Sequence, residues 1–259
     1  MPVNSFMYVD YHTHPLGHGG GRYTEEELSS FLSSARAQRI CEIGFSDHEE
    51  FLTGVDETSI AAVRRRFPSL KVRLGLEISY RPGREREIAE IAARHRFDYL
   101  IGSVHDLDAW MFDHPAYEMV YRVWDADELY RKYFLVLEKL AMSGLFDIVG
   151  HLDVIKVFGY RPAGRIADYA ERAIRAVQKA NLTVEVNTAG LRKPCSEIYP
   201  SRELLERCYE LDIPVTVGSD AHTAGDVGRD FAKAYELLFR VGYRKIAVFS
   251  QRVRSLISI

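Results

Sequence analysis

Cysteine is scarce in this sequence, with Cys41, Cys195 and Cys208 the only three in 259 residues. An odd number at that spacing builds neither a disulfide framework nor a zinc-finger pattern. It fits a reducing cytoplasm, with all three thiols as structural bystanders. No uninterrupted apolar run approaches the roughly 18 residues that span a bilayer. Met1 to Asp10 has no basic stretch ahead of an apolar core, so no signal peptide is expected. Charge of one sign is also lacking: 34 Lys and Arg against 37 Asp and Glu leave a formal charge of −3. Neither nucleic acid nor an anionic membrane is therefore an expected partner, and any recognition of phosphate is local. No Pro/Ser/Gly linker, low-complexity tract or solenoid-length repeat divides residues 1–259, which read as one domain.

What the sequence does have is a recurring unit: a short apolar run, a polar cluster, then a helical stretch. The apolar runs are Phe6–Val9, Ile40–Phe45, Val72–Leu76, Tyr99–Ile101, Phe146–Val149, Leu182–Val186 and Ile213–Val217. Their length suits strands buried on both faces. Thr24 followed by three glutamates reads as a helix N-cap with an acidic first turn, and Leu28, Phe31, Leu32 and Ala35 supply its apolar stripe. Helical patterns recur at Arg84–Arg94, Asp127–Ser143, Ile166–Ala180, Ser201–Leu211 and Gly228–Val241. About seven alternations of strand and helix predict a parallel α/β sheet, closed into a barrel or doubly wound. An eighth run, Ile246–Phe249, reads as a late strand or a C-terminal cover.

The histidines fall in one topological place. Seven of nine lie at or just after a predicted strand end: His12, His14, His18, His48, His105, His151 and His222. Glu77 and Asp220 occupy equivalent positions, whereas His95 and His114 do not. Loops after the C-terminal ends of parallel strands converge, so residues distant in sequence meet in one pocket. His12 and His14, two apart on a strand, point to the same side. Glycines 17, 19, 20 and 21 let the chain around His18 fold back over the site. Nine candidate ligands exceed the three or four of a single catalytic zinc, so two or three ions, with Glu77 bridging a pair, use them naturally. Imidazole with carboxylate suits zinc, iron or manganese. Asp10, Asp47 and Asp153 read equally as acceptors that orient imidazoles and as caps or solvated loop residues.

Six ordered segments resemble the polymerase-and-histidinol-phosphatase (PHP) superfamily of metal-dependent phosphoesterases. They are Asp10-Tyr-His-Thr-His14, Ser46-Asp-His48, Gly75-Leu-Glu77, Gly102-Ser-Val-His105, Gly150-His-Leu-Asp153 and Gly218-Ser-Asp-Ala-His222. Further stretches, Asp108-Ala-Trp-Met-Phe-Asp113, His151-Leu-Asp-Val-Ile-Lys156 and Glu185-Val-Asn-Thr-Ala-Gly-Leu-Arg-Lys193, are most similar to its monofunctional histidinol-phosphatases. The resemblance implies a distorted seven-stranded (β/α)7 barrel with three metal ions at the C-terminal ends of the strands. By motif position one ion takes His12, His14, Glu77 and Asp220; a second takes Glu77, His105 and His151; a third takes His18, His48 and His222. His18 is the least firmly matched of these, because loop spacing there varies among relatives.

The implied reaction is hydrolysis of L-histidinol phosphate to L-histidinol and phosphate in histidine biosynthesis. A metal lowers the pKa of bound water from about 15.7 towards 7, giving a hydroxide nucleophile at neutral pH, and the cations neutralise charge on the phosphoryl oxygens. Glu77, Asp220 and His222 are the candidate catalytic residues, the last two for proton transfer to the leaving alkoxide. Arg192 and Lys193 are candidate phosphate anchors, arginine offering a planar fork, with Arg161 and Arg165 weaker choices. Histidinol carries an amine and an imidazole, so the acidic, aromatic stretch from Asp106 to Asp125 is the candidate recognition loop, through Asp108, Trp110 and Asp113. The bland alternative packs Trp110 onto the barrel rim.

Three other readings compete. A sister phosphoesterase acting on another small phosphate ester, nucleotides or oligonucleotides calls for a basic groove with stacking aromatics when the substrate is a polymer, and the candidate loop is acidic. A non-catalytic metal-binding module is disfavoured by the complete ligand set, and an amidohydrolase by the later motifs. Aromatic residues, 12% of the chain, serve a core or an interface alike, so oligomeric state stays open.

Overall fold

The computed structural model describes residues 7–259; Phe6, which opens the first apolar run, lies outside them, as does the stretch before it. In chain order the strands are β1 (Tyr8–Asp10), β2 (Ile40–Phe45), β3 (Lys71–Ser79), β4 (Tyr99–Ser103), β5 (Asp106–Leu107), β6 (Trp110–Met111), β7 (Ile148–Val149), β8 (Thr183–Asn187), β9 (Val215–Gly218), β10 (Lys245–Ser250) and β11 (Val253–Ser258). Seven of them form one parallel sheet in the order β1-β2-β3-β4-β7-β8-β9. The last returns to the first: the Tyr11 N–H donates to the Val217 carbonyl at 2.9 Å, and Thr13 forms a parallel bridge with Ala221. The sheet is therefore a nearly closed, distorted seven-stranded barrel, not an open doubly wound sheet.

Helices α1 (Glu25–Ala37), α2 (Glu57–Arg66), α3 (Glu85–Ala92), α4 (Ala126–Met142), α5 (Ile166–Lys179), α6 (Arg202–Glu210) and α7 (Phe231–Val241) lie between or after the strands. Thr24 caps α1 as its sequence predicts, its hydroxyl accepting from the Glu27 N–H at 3.2 Å, and Leu28, Phe31, Leu32 and Ala35 face the core. Helix α2 has no counterpart among the predicted helices. It is capped by Asp56, which accepts from the Thr58 and Ser59 N–H groups, but buries only Ile60 and Val63, too thin a stripe to stand out among Arg64, Arg65 and Arg66. Strand β7 is shorter than its apolar run.

The eighth run becomes β10 of an antiparallel hairpin with β11. The hairpin covers the N-terminal mouth of the barrel. Phe249 packs on Tyr11 and Tyr99, the Gln251 N–H donates to Asp98 at 3.0 Å, and Arg254 reaches the Asn181 carbonyl at 2.7 Å. With that end sealed, the opposite end is left for chemistry. No helix among the described residues is long and apolar enough to cross a membrane.

Candidate metal centre

All seven barrel strands end at the same rim, and each strand or the loop after it delivers part of one cluster. His12 and His14 follow β1, and Thr13 between them turns away to donate its hydroxyl to the Gly44 carbonyl at 2.8 Å. His48 follows β2 and bridges Glu77 near the end of β3. His105, His151 and the pair Asp220 and His222 follow β4, β7 and β9. His151 and Asp220 hold positive φ angles of 21° and 55°, a strained backbone for residues with a Cβ that is concentrated at functional sites.

Glu77 is the hub. Its Oε2 lies 2.9 Å from His48 Nδ1, 3.3 Å from His12 Nε2 and 3.7 Å from His14 Nε2. Its Oε1 lies 3.1 Å from His151 Nε2 and 3.3 Å from His105 Nε2, and accepts from the Ser103 hydroxyl at 2.6 Å. Asp220 Oδ1 adds a second carboxylate, 3.2 Å from His14 Nε2 and 3.9 Å from His12 Nε2. Three sets of ligand atoms each converge within 4.8 Å: His12, His14 and Glu77; Glu77, His105 and His151; and His14, His48 and His222.

The electrostatics of so dense a cluster are those of a cation site. Burial pushes the Glu77 carboxyl up, yet His12, His105 and His48 outweigh it and hold it well below the usual carboxylate range. Asp220 is held low in the same way, chiefly by His12 and His14. Burial disfavours charge on His105, but Glu77 and Asp113 raise its pKa to about 10. Burial drives His14 well below the ordinary histidine value. Buried polar atoms are normally hydrogen-bonded, but His12 Nε2, both ring nitrogens of His14, His151 Nδ1 and His222 Nε2 meet no such partner. Imidazoles with unused nitrogens around ionised carboxylates fit divalent cations, and this donor set suits zinc, iron or manganese.

The other sequence candidates divide. His18 is exposed on its glycine loop and lies outside the three sets. Its ring is tilted against that of His222, centroids 4.3 Å apart, and lies parallel to that of His48 at 5.9 Å; His14 stands in its place in the third set. Gly21 lets that loop close, because a Cβ there would stand 2.1 Å from the Pro15 carbonyl oxygen. Arg192 lies on the rim, donating to the Ser219 carbonyl at 2.8 Å, with Asp230 3.7 Å away. Lys193 is exposed nearby, its charge felt by His18. Burial raises the pKa of Asp113, and its charge in turn helps to raise that of His105. Asp108 points elsewhere, exposed and ion-paired with Lys132. Trp110 packs within its own connection, on Tyr121 at 4.9 Å and parallel to Trp124. Arg161 pairs with Glu197 at 2.9 Å and Arg165 with Glu203 at 2.8 Å.

The three aspartates are tethers and touch no imidazole. Asp10 accepts from the Ser219 N–H and hydroxyl and from the Gly228 N–H. Burial pushes its pKa up to about 6. Asp47 holds the Leu16 N–H at 2.7 Å, and Asp153 pairs with the fully buried Lys156 at 2.8 Å. The carboxylate behind the His12 ring, on the side away from Glu77, is Glu185, 2.6 Å from His12 Nδ1. A glutamate flanked by Val184 and Val186 in a buried strand was the available signal, and Asn187 beside it donates to Asp220 Oδ2 at 3.3 Å.

Residues 10–189 match the PHP domain, and residues 202–232 match a PHP-associated segment. The chain is 37% identical over 249 residues to a probable histidinol-phosphatase of Deinococcus radiodurans, covering 91% of this chain and 93% of that protein. It is 26% identical over 260 residues to a histidinol-phosphatase of Lactococcus lactis subsp. lactis, covering 93% and 94%. A crystal structure of histidinol phosphate phosphatase from Lactococcus lactis, complexed with zinc, L-histidinol and phosphate, shares the fold. Its TM-score is 0.75 at 22% identity over 96% of this chain and 98% of that one.

Proposed function

The chain belongs to the PHP-domain family, in its histidinol-phosphatase branch, and from that premise we propose that it hydrolyses L-histidinol phosphate to L-histidinol and phosphate as a step of histidine biosynthesis. The observation that carries the reading is Glu77, whose two oxygens face two different groups of imidazoles. A bridging carboxylate of that kind serves a site with more than one cation.

We assign His12, His14, Glu77 and Asp220 to one divalent ion and Glu77, His105 and His151 to a second. His48 and His222 take a third, together with His14 or His18. Zinc, iron and manganese all suit these donors. When bound, the ions supply positive charge for the phosphoryl oxygens and acidify a coordinated water at neutral pH. The residues do the rest. Arg192, beside Ser219 on the rim, and the exposed Lys193 anchor the phosphate group, Arg192 through a guanidinium already oriented by the Ser219 carbonyl. Asp113 supplies negative charge for the cationic end of the substrate. Hydrolysis forms a P–O bond to the oxygen of the attacking water as the ester P–O bond breaks, and the proton that water gives up passes by way of the pair Asp220 and His222, 3.7 Å apart at Oδ1 and Nδ1, to the leaving alkoxide. Residues 1–259 act as one domain in this reading, which the single hydrophobic core of the described residues supports.

Phosphate release from a panel of monoesters and a short oligonucleotide, with metals counted in the same preparation, tests the proposal. Selective turnover of histidinol phosphate is expected. Turnover confined to oligonucleotides, or none with a filled metal site, contradicts it.

A further inference from the structure

Glu185 is a carboxylate in the middle of an apolar strand, 1% exposed, and nothing in the chemistry above employs it. Its surroundings are specific. Oε1 lies 2.6 Å from His12 Nδ1. Oε2 accepts from the His151 backbone N–H at 2.8 Å and from the Asn187 amide at 3.1 Å. The same amide nitrogen of Asn187 reaches Asp220 Oδ2 at 3.3 Å. One buried carboxylate thus joins the ends of β1, β7, β8 and, through Asn187, β9.

We propose that Glu185 is a positioning residue of the metal centre, fixing the tautomer and direction of the His12 ring and, through Asn187, setting Asp220 against it. An ionised carboxylate only accepts hydrogen bonds, so a contact of 2.6 Å requires the proton on His12 Nδ1. In the neutral ring the lone pair is then on Nε2. That nitrogen has no hydrogen-bond partner and faces Glu77 Oε2 and Asp220 Oδ1. A carboxylate behind a ligating imidazole raises its basicity and holds its plane. The fold is shaped around this pair: a Cβ on Gly218 would stand 2.0 Å from Glu185 Oε1 and 2.6 Å from His12 Cβ. Glycine at the first position of Gly218-Ser-Asp220 is the room that the contact needs.

The inference rests on the reading of His12 and Asp220 as ligands of one ion. The test is binding of Mn2+ alone to the stripped protein, by equilibrium dialysis with elemental analysis, alongside the melting temperature of the metal-free form. Glu185→Gln is expected to weaken one of the bound ions by roughly 10- to 100-fold while the others keep their affinity. Asn187→Ser, a milder change should the first variant not fold, is expected to weaken the same ion to a smaller degree. Unchanged Mn2+ affinity in a folded Glu185→Gln or Asn187→Ser protein, even with a lowered melting temperature, would overturn the proposal and leave Glu185 as a structural tie. Wild-type protein that binds no Mn2+ or Zn2+ overturns the metal reading together with it. Wild-type protein that binds ions but ignores histidinol phosphate overturns the substrate alone.

Discussion

At the scale of single residues, Glu77 carries the argument because it has more partners than a structural carboxylate can use. Five imidazole nitrogens stand within 3.7 Å of its two oxygens. Without cations such a group survives burial only by drawing protons onto its neighbours, which is the direction His12 and His105 take. A cation that takes up those nitrogens releases the protons, so binding and protonation compete. Glu77→Gln keeps the shape and removes the charge. Its kcat/KM is expected to fall roughly 10³-fold or more, since several kcal/mol of charge stabilisation go with the ions, and elemental analysis should find fewer metals per chain. His18→Ala separates the ligands from their surroundings. It is expected to lower occupancy of the His48 and His222 site only, and an unchanged metal content would take His18 off the ligand set.

At the scale of elements, what the sequence announces and what it hides have different physical causes. Strand ends followed by histidine are legible because apolar runs of four to six residues and polar clusters alternate, and β2 begins and ends where its run does. Helix α2 is hidden because two buried side chains do not make a period. Glu185 is hidden for the opposite reason: it alternates with Val184 and Val186 in a strand buried on both faces, where a pattern search expects a hydrophobe. The role of Asp10, Asp47 and Asp153 as tethers between strand ends was open in the sequence, since an aspartate after a strand serves a backbone N–H as readily as an imidazole. Trp110 and Asp108, neighbours of the cluster in the chain, turn to the aromatic rings of their own connection and to solvent, carried there by the β5–β6 hairpin. Gly218 at the end of β9 gives a prediction at this scale. Gly218→Ala forces the added methyl into Glu185 and His12, at an expected cost of about 1–3 kcal/mol read by denaturant melts, with loss of the ion assigned to His12.

At the scale of the whole molecule, the two ends of the barrel have separate tasks. The N-terminal mouth is closed by β10 and β11, and Tyr11 joins the ends from within. One residue before His12, its ring packs against Tyr99 and Phe249 and its hydroxyl donates to Glu42. Phe249→Ala removes a buried ring that packs on Tyr11 and Tyr99 at the closed mouth, opposite the rim that carries the ligands. It is expected to destabilise the fold by about 3–5 kcal/mol in thermal or urea unfolding, while the metal content of the folded fraction stays as in the wild type. Loss of metal at unchanged stability would mean that the two ends are not separate.

Anomalous diffraction from crystals soaked in Mn2+ tests the central claim most directly. Two peaks are predicted, one bounded by His12, His14, Asp220 and Glu77 Oε2 and the other by His105, His151 and Glu77 Oε1, with a third beside His48 and His222 when all sites fill. Crystals whose anomalous maps show no peak at Glu77, or peaks only on surface carboxylates, would contradict the account.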